Sequence, residues 1–416
     1  MTELEFSRAV SELGGEAYIV GGWVRDYFIG KQAYDKDYVV CGLTPEALVT
    51  RFGAQPVGRQ FPVFLLKIGG AVCEVALART ERKTGRGYLG FEPDFSADTT
   101  IEEDLRRRDT KMNSMALRLP DMQLIDPFGG RQDIERDVIS ATSEHFRDDP
   151  VRTLRAARQA AQLGFSIDKA TRRMMTLSRD ELAEEPAPRI LAEMTKALES
   201  PRPRRFFEEL RDAAVLEAVL PEAAALVGVE QPAAYHHGLD AFEHTMDVLQ
   251  QTADATSRVE TRFAALAHDL GKGKTPRDQW PHHYEHAQLG LEALDEMNAR
   301  MSLPRTWLKF ARFIVEWHMK LPKARRAGSV VRAVNEISRR GLPPHEIKII
   351  IRADKGEIPP FLERYDETLR FLNAARRRQK IPEDLPEAER SQWLVMRLAT
   401  EYARWEREKS PQTSEP

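Results

Sequence analysis

Asp35 and Asp37 stand two residues apart, directly before the apolar run Tyr38-Val39-Val40. On an extended strand residues i and i+2 share a face, so both carboxylates can converge on one point. A third acid, Glu74, lies inside Ala71-Val72-Cys73-Glu74-Val75-Ala76-Leu77. A charge in such a run is costly unless it is paired or bound to a cation. Three carboxylates on adjacent strands suit Mg²⁺, a hard ion with oxygen ligands that is usually shared with substrate phosphates. Two such ions would stabilise the attacking and leaving oxygens of phosphoryl transfer. By themselves the same residues also read as a loop-exposed Asp pair and an edge-strand Glu.

The flanking segments carry compatible chemistry. Val20-Gly21-Gly22-Trp23-Val24-Arg25-Asp26 puts two glycines between a strand and a helix. Backbone N–H groups there can approach a triphosphate at the helix N-terminus; the alternative is a tight turn with Arg25 and Asp26 as a surface pair. Glu103-Asp104-Leu105-Arg106-Arg107-Arg108-Asp109 is followed by Asn113 before another strand-like run. Three consecutive arginines beside a phosphate site offer forked, charge-assisted contacts, or they form a solvated basic turn.

A second group is histidine-rich, since seven of the ten histidines fall between His236 and His286. His268-Asp269 closes an apolar helical run just before Gly271, with His244 upstream and His282-His283-Tyr284-Glu285-His286 downstream. Imidazole with carboxylate suits Mn, Ni, Fe, Zn or Mg more than calcium. Any one of these histidines taken singly is more simply a cap or a core residue.

The elements that must position these groups change along the chain. Up to about residue 140, strand-like runs (Tyr18 to Val20, Tyr38 to Val40, Val63 to Leu66, Val72 to Leu77) alternate with the amphipathic helices Phe6 to Leu13 and Pro45 to Phe52. After Asp149-Pro150 the pattern turns helical, through Val151 to Leu163, Arg189 to Leu198 and Arg204 to Leu210. The expected fold class is α+β: a mixed α/β head with a small sheet, then an all-helical neck and body and a helical third domain. Boundaries are expected near 140, 226 and 360, with 361–416 a helical tail whose end, from Lys409, is disordered.

The 416 residues allow roughly two to four domains. With 42% hydrophobic and 31% charged residues the chain builds real cores, which excludes a disordered or fibrous protein. No run approaches the roughly 18 apolar residues of a membrane span, and the acidic start Met1-Thr2-Glu3-Leu4-Glu5 lacks the layout of a secretory signal. Cys41 and Cys73 are the only cysteines, which fits a reducing cytoplasm and excludes a disulfide framework. The net charge of −3 hides an asymmetry: residues 300–352 hold 13 Lys and Arg against Glu316, Glu336 and Glu346, so this segment is +10 and the rest −13. Such a segment can steer a polyanion, or it is a solvated helix surface.

Together these elements resemble the polymerase-β-type nucleotidyltransferase superfamily, and more narrowly the class II tRNA nucleotidyltransferases. These are CCA-adding enzymes that share their head domain with bacterial poly(A) polymerases. The matching order is Gly21-Gly22-x-Val24-Arg25-Asp26, Asp35-x-Asp37, Glu74 leading into Ala78-Arg79-Thr80-Glu81-Arg82-Lys83, and Arg107-Arg108-Asp109 with Asn113. The resemblance implies that Asp35 and Asp37, helped by Glu74, hold catalytic Mg²⁺. It also implies that Gly21, Gly22, Arg25, Arg107, Arg108, Asp109 and Asn113 bind the incoming nucleotide.

Asp148-Asp149-Pro150-Val151-Arg152 is similar to the family's base-reading motif. An acceptor at Asp149 and a forked donor at Arg152 can pair with the edges of cytosine and adenine, whereas guanine and uracil present the wrong pattern. Asp149-Pro150 is equally a helix cap. Arg155 and Arg158, further along that helix, are assigned to the same nucleotide site. Two positions depart from the family pattern: Lys111 stands where Thr is usual, and Asp148 where Glu is usual.

His244, His268-Asp269 and Asp354 are similar to the His…His-Asp…Asp pattern of HD phosphohydrolases. This resemblance implies a divalent metal such as Ni²⁺ or Mn²⁺ that activates water towards a phosphate ester, with His286 and His318 as further candidate ligands. Such a domain follows the head in one bacterial subgroup of CCA-adding enzymes, described as phosphodiesterase, phosphatase and 2′-nucleotidase. That subgroup has a His-Asp pair near His318, where this chain has Met319.

The implied partners are tRNA, ATP and CTP, with no membrane, and the protein is expected as a cytoplasmic monomer or homodimer. The segment Arg79 to Gly90 is expected to be a flexible loop, hinged at Gly85, Gly87 and Gly90, that helps switch from C to A. The alternatives are a poly(A) polymerase, a CC-only or A-only enzyme, or an HD phosphohydrolase whose inactive head docks RNA.

Overall fold

Ala17-Tyr18-Ile19-Val20 and Tyr38-Val39-Val40 are apolar at every position, the pattern of strands covered on both faces. The computed structural model, which describes residues 1–33, 35–57, 63–85, 90–94, 96–232 and 238–409, buries them so. The chain forms two compact units, Met1–Pro221 and Glu222–Pro416.

In the first unit the strands are β1 (Glu16–Val20), β2 (Asp37–Cys41), β3 (Gln55–Val57), β4 (Val63–Ile68), β5 (Ala71–Leu77), β6 (Thr80–Lys83), β7 (Phe91–Asp94), β8 (Ala116–Arg118) and β9 (Gln123–Ile125). Among the described residues, seven of them make one sheet in the order β3-β4-β5-β2-β1-β8-β9. Its neighbours are antiparallel except β2 and β5, which run parallel with Asp37 opposite Glu74.

The two faces are covered unequally. Helices α1 (Glu3–Glu12), α2 (Gly22–Ile29) and α3 (Pro45–Phe52) bring Phe6, Val24 and Leu48 onto one face, against Ile19, Tyr38, Val40, Cys73 and Val75. The other face carries a smaller core, in which Ile101 and Leu105 of α4 (Ile101–Arg106) meet Tyr18, Val20 and Val39. Strand alternation puts Asp37 on the Val39 side and Glu74 on the Ala76 side, so both project from this thinly covered face. A capping box between Thr100 and Glu103 fixes the start of α4, and the helix ends where Arg107 and Arg108 turn towards the sheet.

Within the expected loop from Arg79 to Gly90, Thr80–Lys83 forms a strand instead. β6 pairs with β7 from Thr80↔Asp94 to Lys83↔Phe91, and the N–H groups of Thr84 and Gly85 donate to the Gly90 carbonyl. The charged run gives no strand signal because its pairing depends on the separate segment Phe91–Asp94. Gly87 lies outside the described residues. The region expected to be wholly helical also holds a two-residue strand, Ser166–Ile167, paired parallel with Val138–Ile139; two residues are too short to show a periodicity.

The rest of this unit is helical, with Val151–Leu163 packed on Ala187–Glu199 and Pro203–Asp212. The second unit contains no strand among its described residues. Its helices Ala241–Ala255, Val259–Ala267, His286–Met301, Arg305–Trp317 and Pro344–Lys355 surround the histidines, and Glu387–Lys409 lies against Ala327–Arg339. The tail beyond Lys409 is outside the described residues.

Leu105 is fully buried in the small core beneath the acidic face. Leu105→Ala should therefore cost about 2–5 kcal/mol in denaturant unfolding of the first unit.

Candidate functional site

The register that sets Asp37 beside Glu74 opens onto a cleft of about 370 Å³ in the first unit. Its lining includes Val20, Asp37, Glu74, Arg107, Arg108 and, from the helical part, Asp149, Arg152 and Arg155. Burial and the adjacent Glu74 raise the Asp37 carboxyl above its ordinary range, Arg108 opposes them, and Asp35 adds repulsion. Asp35 is exposed and is not among the lining residues. This donor set, oxygen-only and crowded with like charge, fits a hard divalent cation.

Gly21 has to be glycine. Its φ is +73°, and a Cβ there would lie 3.5 Å from an Arg108 guanidinium nitrogen and 3.9 Å from Asp37 Oδ2. It precedes the first turn of α2, which has no side-chain cap. Free helix N–H groups thus meet a guanidinium and a carboxylate cluster at one place, the arrangement a triphosphate with its cation requires.

The cleft arginines are held from behind by buried acids. Asp104, fully buried, accepts from Arg107 through Oδ1 and from Arg108 through Oδ2 at 2.9 Å. Burial alone would raise the Asp104 carboxyl, but the two guanidiniums hold it at about 2. Glu81, on β6, accepts from Arg79 at 3.0 Å and Arg107 at 2.9 Å, with Arg152 at 3.6 Å. Arg152 also donates to the His145 carbonyl at 2.5 Å. Arg155 pairs with Asp109 at 2.8 Å.

Asp149 has two local roles. It accepts from the Val151 N–H at 3.2 Å, as a cap does, and from Arg189 at 2.8 and 3.0 Å.

The second unit builds its centre from five helices. His244 comes from Ala241–Ala255, His268 ends Val259–Ala267, His286 begins its helix, His318 ends Arg305–Trp317, and Asp354 lies near the end of Pro344–Lys355. All four imidazole Nε2 atoms face Asp269: His268 and His244 lie 3.2 and 3.8 Å from Oδ2, His318 and His286 3.3 and 3.7 Å from Oδ1. Asp354 Oδ1 lies 3.2 Å from His244. His244-His268-Asp269 and Asp269-His286-His318 form two trios, with ligand atoms within 4.8 Å of one another in each.

The Nδ1 atoms of His268, His286 and His318 are taken by the carbonyls of Ala265, His283 and Ile314 at 2.7, 2.8 and 3.1 Å. That fixes the tautomer that turns the Nε2 lone pair inward. His268 Nε2, Asp269 Oδ1 and Asp354 Oδ2 are buried without a hydrogen-bond partner. Three orphaned polar atoms at one centre fit a bound metal ion. Burial favours neutral Asp269, yet the Lys272 ammonium at 2.6 Å and His268 hold it ionised. Burial pushes His286 down to about 4, leaving it a neutral donor near pH 7. A Cβ on Gly271 would come within 1.9 Å of the His286 carbonyl, so the glycine lets the Asp269 turn close onto that helix. The centre opens into a cleft of about 700 Å³, whose rim includes Lys323, Arg352 and Lys355.

These geometries have counterparts among known proteins. The Poly A polymerase head domain matches residues 17–140, the probable RNA and SrmB-binding site of polymerase A matches 164–226, and the HD domain matches 241–357. The multifunctional CCA protein of Nitrosococcus oceani is 43% identical over 329 residues, 77% of this chain and 79% of that protein. The chain belongs to the multifunctional CCA protein family.

The family member of Neisseria gonorrhoeae is 37% identical over 390 residues, 93% of this chain and 90% of its own. The fold is shared with the Bacillus stearothermophilus CCA-adding enzyme in complex with CTP, at a TM-score of 0.62, 23% identity and coverage of 97% and 91%. It is shared too with the Thermotoga maritima CCA-adding enzyme complexed with tRNA, at 0.56, 20%, and 96% and 90%.

Within this member of the multifunctional CCA protein family, several residues stand away from the cleft. Arg106 turns outward to Glu144 at 3.5 Å, so two of the three consecutive arginines serve the cleft. Asp109 is 4% exposed and is satisfied by Arg155, Asn113, Gln159 and the Thr110 N–H. Asn113 joins Asp109 to Arg25 at 3.0 and 2.9 Å. Asp109, Asn113 and Arg25 are a bracket behind the cleft rather than part of its lining, because burial commits them to one another. Arg158 likewise pairs with Glu193 and Gln162.

Lys111 is not a lining residue, and its charge acts on Asp133. Asp148 bonds His145 at 2.7 Å. Met319 lines the second cleft and brings no carboxylate. His283 is structural, bonded to Thr275 and the Glu230 carbonyl, and His236 and His237 lie outside the described residues. Much of the basic segment is paired on its own surface, Arg312 with Asp295 and Arg340 with Glu316 and Glu336.

Asp104, Glu81, Arg189 and Lys272 were not singled out from the sequence. Asp104 had a signal in its spacing of three and four residues from Arg107 and Arg108; Arg189, forty residues from Asp149, had none.

Asp104 has a folded value of about 2 against an ordinary 3.8, so its ion pairs stabilise above the unfolded value and fade as pH falls towards 2. Asp104→Asn should cost about 3–5 kcal/mol at pH 7 in urea unfolding, and the gap to the parent should narrow between pH 5 and pH 3.

Asp269 is common to both trios. Asp269→Ala should therefore lose metal more completely than His244→Ala or His286→Ala, by at least roughly tenfold in affinity, as measured by metal content after dialysis against graded chelator.

Proposed function

We propose that this chain adds C, C and A to the 3′ end of tRNA from CTP and ATP, without a nucleic-acid template, releasing pyrophosphate. The observation that carries the reading is the pairing of Asp37 with Glu74 opposite Gly21 and Arg108, in a cleft that also holds Asp149 and Arg152. Asp35, Asp37 and Glu74 would hold Mg²⁺. When bound, that ion lowers the pKa of the RNA 3′-hydroxyl and neutralises the triphosphate.

The protein's own groups do the positioning. The first N–H groups of α2 and the guanidiniums of Arg107 and Arg108 receive the phosphates, oriented in advance by Asp104 and Glu81. The bracket of Arg25, Asp109, Asn113 and Arg155 keeps that wall in place. Asp149 accepts from the exocyclic amino group that cytosine and adenine share, and Arg152 donates beside it. Arg189 positions Asp149. The β6–β7 hairpin, tied to Arg107 and Arg152 through Glu81, is assigned to the change from CTP to ATP.

In the second unit we read a metal-dependent hydrolase of phosphate esters with phosphodiesterase, phosphatase and 2′-nucleotidase activity, supported by the two trios sharing Asp269 and the basic rim. A Ni²⁺- or Mn²⁺-class ion there would supply an activated water. Both activities fit a reducing cytoplasm, with Cys41 and Cys73 as free thiols. Among the described residues no helix is long and apolar enough to cross a membrane.

Purified protein given tRNA lacking its terminus and each nucleoside triphosphate should add C, C, then A and stop. Long A-tails would instead identify a poly(A) polymerase, and products stopping after C or adding only A a partial enzyme. Asp35→Ala with Asp37→Ala should reduce incorporation by about a thousandfold or more while sparing release of phosphate from a monoester. His268→Ala with Asp269→Ala should do the reverse. Absence of incorporation in the parent would leave the hydrolase reading alone.

A further inference from the structure

We propose that the hydrolytic centre of the second unit takes the end of an RNA strand in preference to a free mononucleotide. The basic side of the helix Pro344–Lys355 would hold the phosphates behind the one that is cleaved. The inference rests on the hydrolase reading of the second unit and names its substrate class. A second cavity, of about 270 Å³, adjoins the cleft over the metal centre, and Gln251, Arg352 and Ala353 line both. His244, Asp247, Gln251 and Ala255 recur at intervals of three and four residues along the helix Ala241–Ala255. One face of that helix therefore runs from the metal centre into the second cavity.

The other wall of this path is basic. His345, Lys348, Arg352 and Lys355 recur at the same intervals along Pro344–Lys355, and each lines one or both cavities. Asp354, 3.2 Å from His244, ties the end of this helix to the metal centre. From Asp354 back to His345 the helix rises roughly 13.5 Å, about four phosphate spacings of a stacked strand. Among the described residues two acids besides Asp354 line the path, Asp247 in the first cleft and Glu363 in the second cavity. Lys348 and Arg352 share Glu363, at 3.7 and 3.3 Å, so the three together stay positive. Arg352 is 66% and Glu363 47% exposed, and a phosphate displaces so exposed a contact at little cost. Beside the cations, Ala255, Ile349 and Ile358 give the second cavity an apolar floor. A bare polyphosphate has nothing to set on that floor, whereas the sugars and bases of RNA do.

The test uses the full metal-loaded chain, 2′-AMP, and an RNA tetranucleotide with a 2′-phosphate on its last ribose. In both substrates water adds to the phosphorus, the bond to the ribose oxygen breaks, and that oxygen takes the proton. The parent should show the lower KM for the tetranucleotide. His345→Gln with Lys348→Gln should raise that KM about 3- to 30-fold and leave the KM and kcat for 2′-AMP unchanged. The slope of log KM against log salt should flatten by about 0.7 for the charge lost at Lys348. Lys348→Arg, which keeps the charge, should behave as the parent. With the metal removed by chelator and 4-thiouridine placed two nucleotides behind the phosphate, the parent should photocrosslink within residues 345–352 and the double variant should not. Equal KM values for the two substrates in the parent, or for the tetranucleotide in parent and double variant, overturn the proposal. So do unchanged crosslinks, or a loss that Lys348→Arg shares. If the parent cleaves neither substrate, the hydrolase reading fails, and the crosslink still decides on the track.

Discussion

Parallel pairing of β2 with β5 places Asp37 directly opposite Glu74, and the rest of the first unit accommodates that placement. Two carboxylates at one register point repel, and repulsion between neighbouring strands is normally selected against. Here it persists because the face bearing them is only partly covered. The large core lies on the opposite side, with Phe6, Val24 and Leu48, while Leu105 and Ile101 close only part of this one. Had α4 extended over Asp37 and Glu74, their desolvation would have forced protonation and removed the charge that recommends the site to a cation.

The positive wall follows an inverse logic. Arg107 and Arg108 could not face an open cleft in fixed rotamers unaided, since free arginines lose side-chain entropy when immobilised. Asp104, at no exposure, meets that cost inside the protein by accepting from both. Glu81 does the same for Arg79 and Arg107, and Asp109 for Arg155. Buried acids therefore serve to aim cations, while Asp37 and Glu74 line the open cleft. Asp109 follows that division, being buried and paired with Arg155 although it stands next to a cleft arginine.

What the sequence revealed divides along the same line. The Asp-x-Asp step, the Gly-Gly corner and His268-Asp269-x-Gly271 were legible because local geometry, a strand period or a turn, already constrains them. The placement of Arg189 against Asp149 was not, since the two meet only once the helices bearing them pack. Strand β6 is not legible locally because Thr80-Glu81-Arg82-Lys83 has the composition of a solvated run, and only pairing with Phe91–Asp94 makes it a strand. Lys272 follows Gly271 directly, yet nothing local says that its ammonium faces Asp269 rather than solvent. His286 and His318 join the centre with no spacing rule to announce them, because each begins or ends a different helix.

The two candidate metal centres differ in how they tolerate their own charge. In the head, burial and the adjacent Glu74 raise Asp37 above its ordinary range, a cost that a bound cation would offset. In the second unit the Lys272 ammonium, with His268, holds Asp269 ionised although it is buried. The contrast follows from what stands beside each carboxylate: a second carboxylate, Glu74, at Asp37 and an ammonium, Lys272, at Asp269.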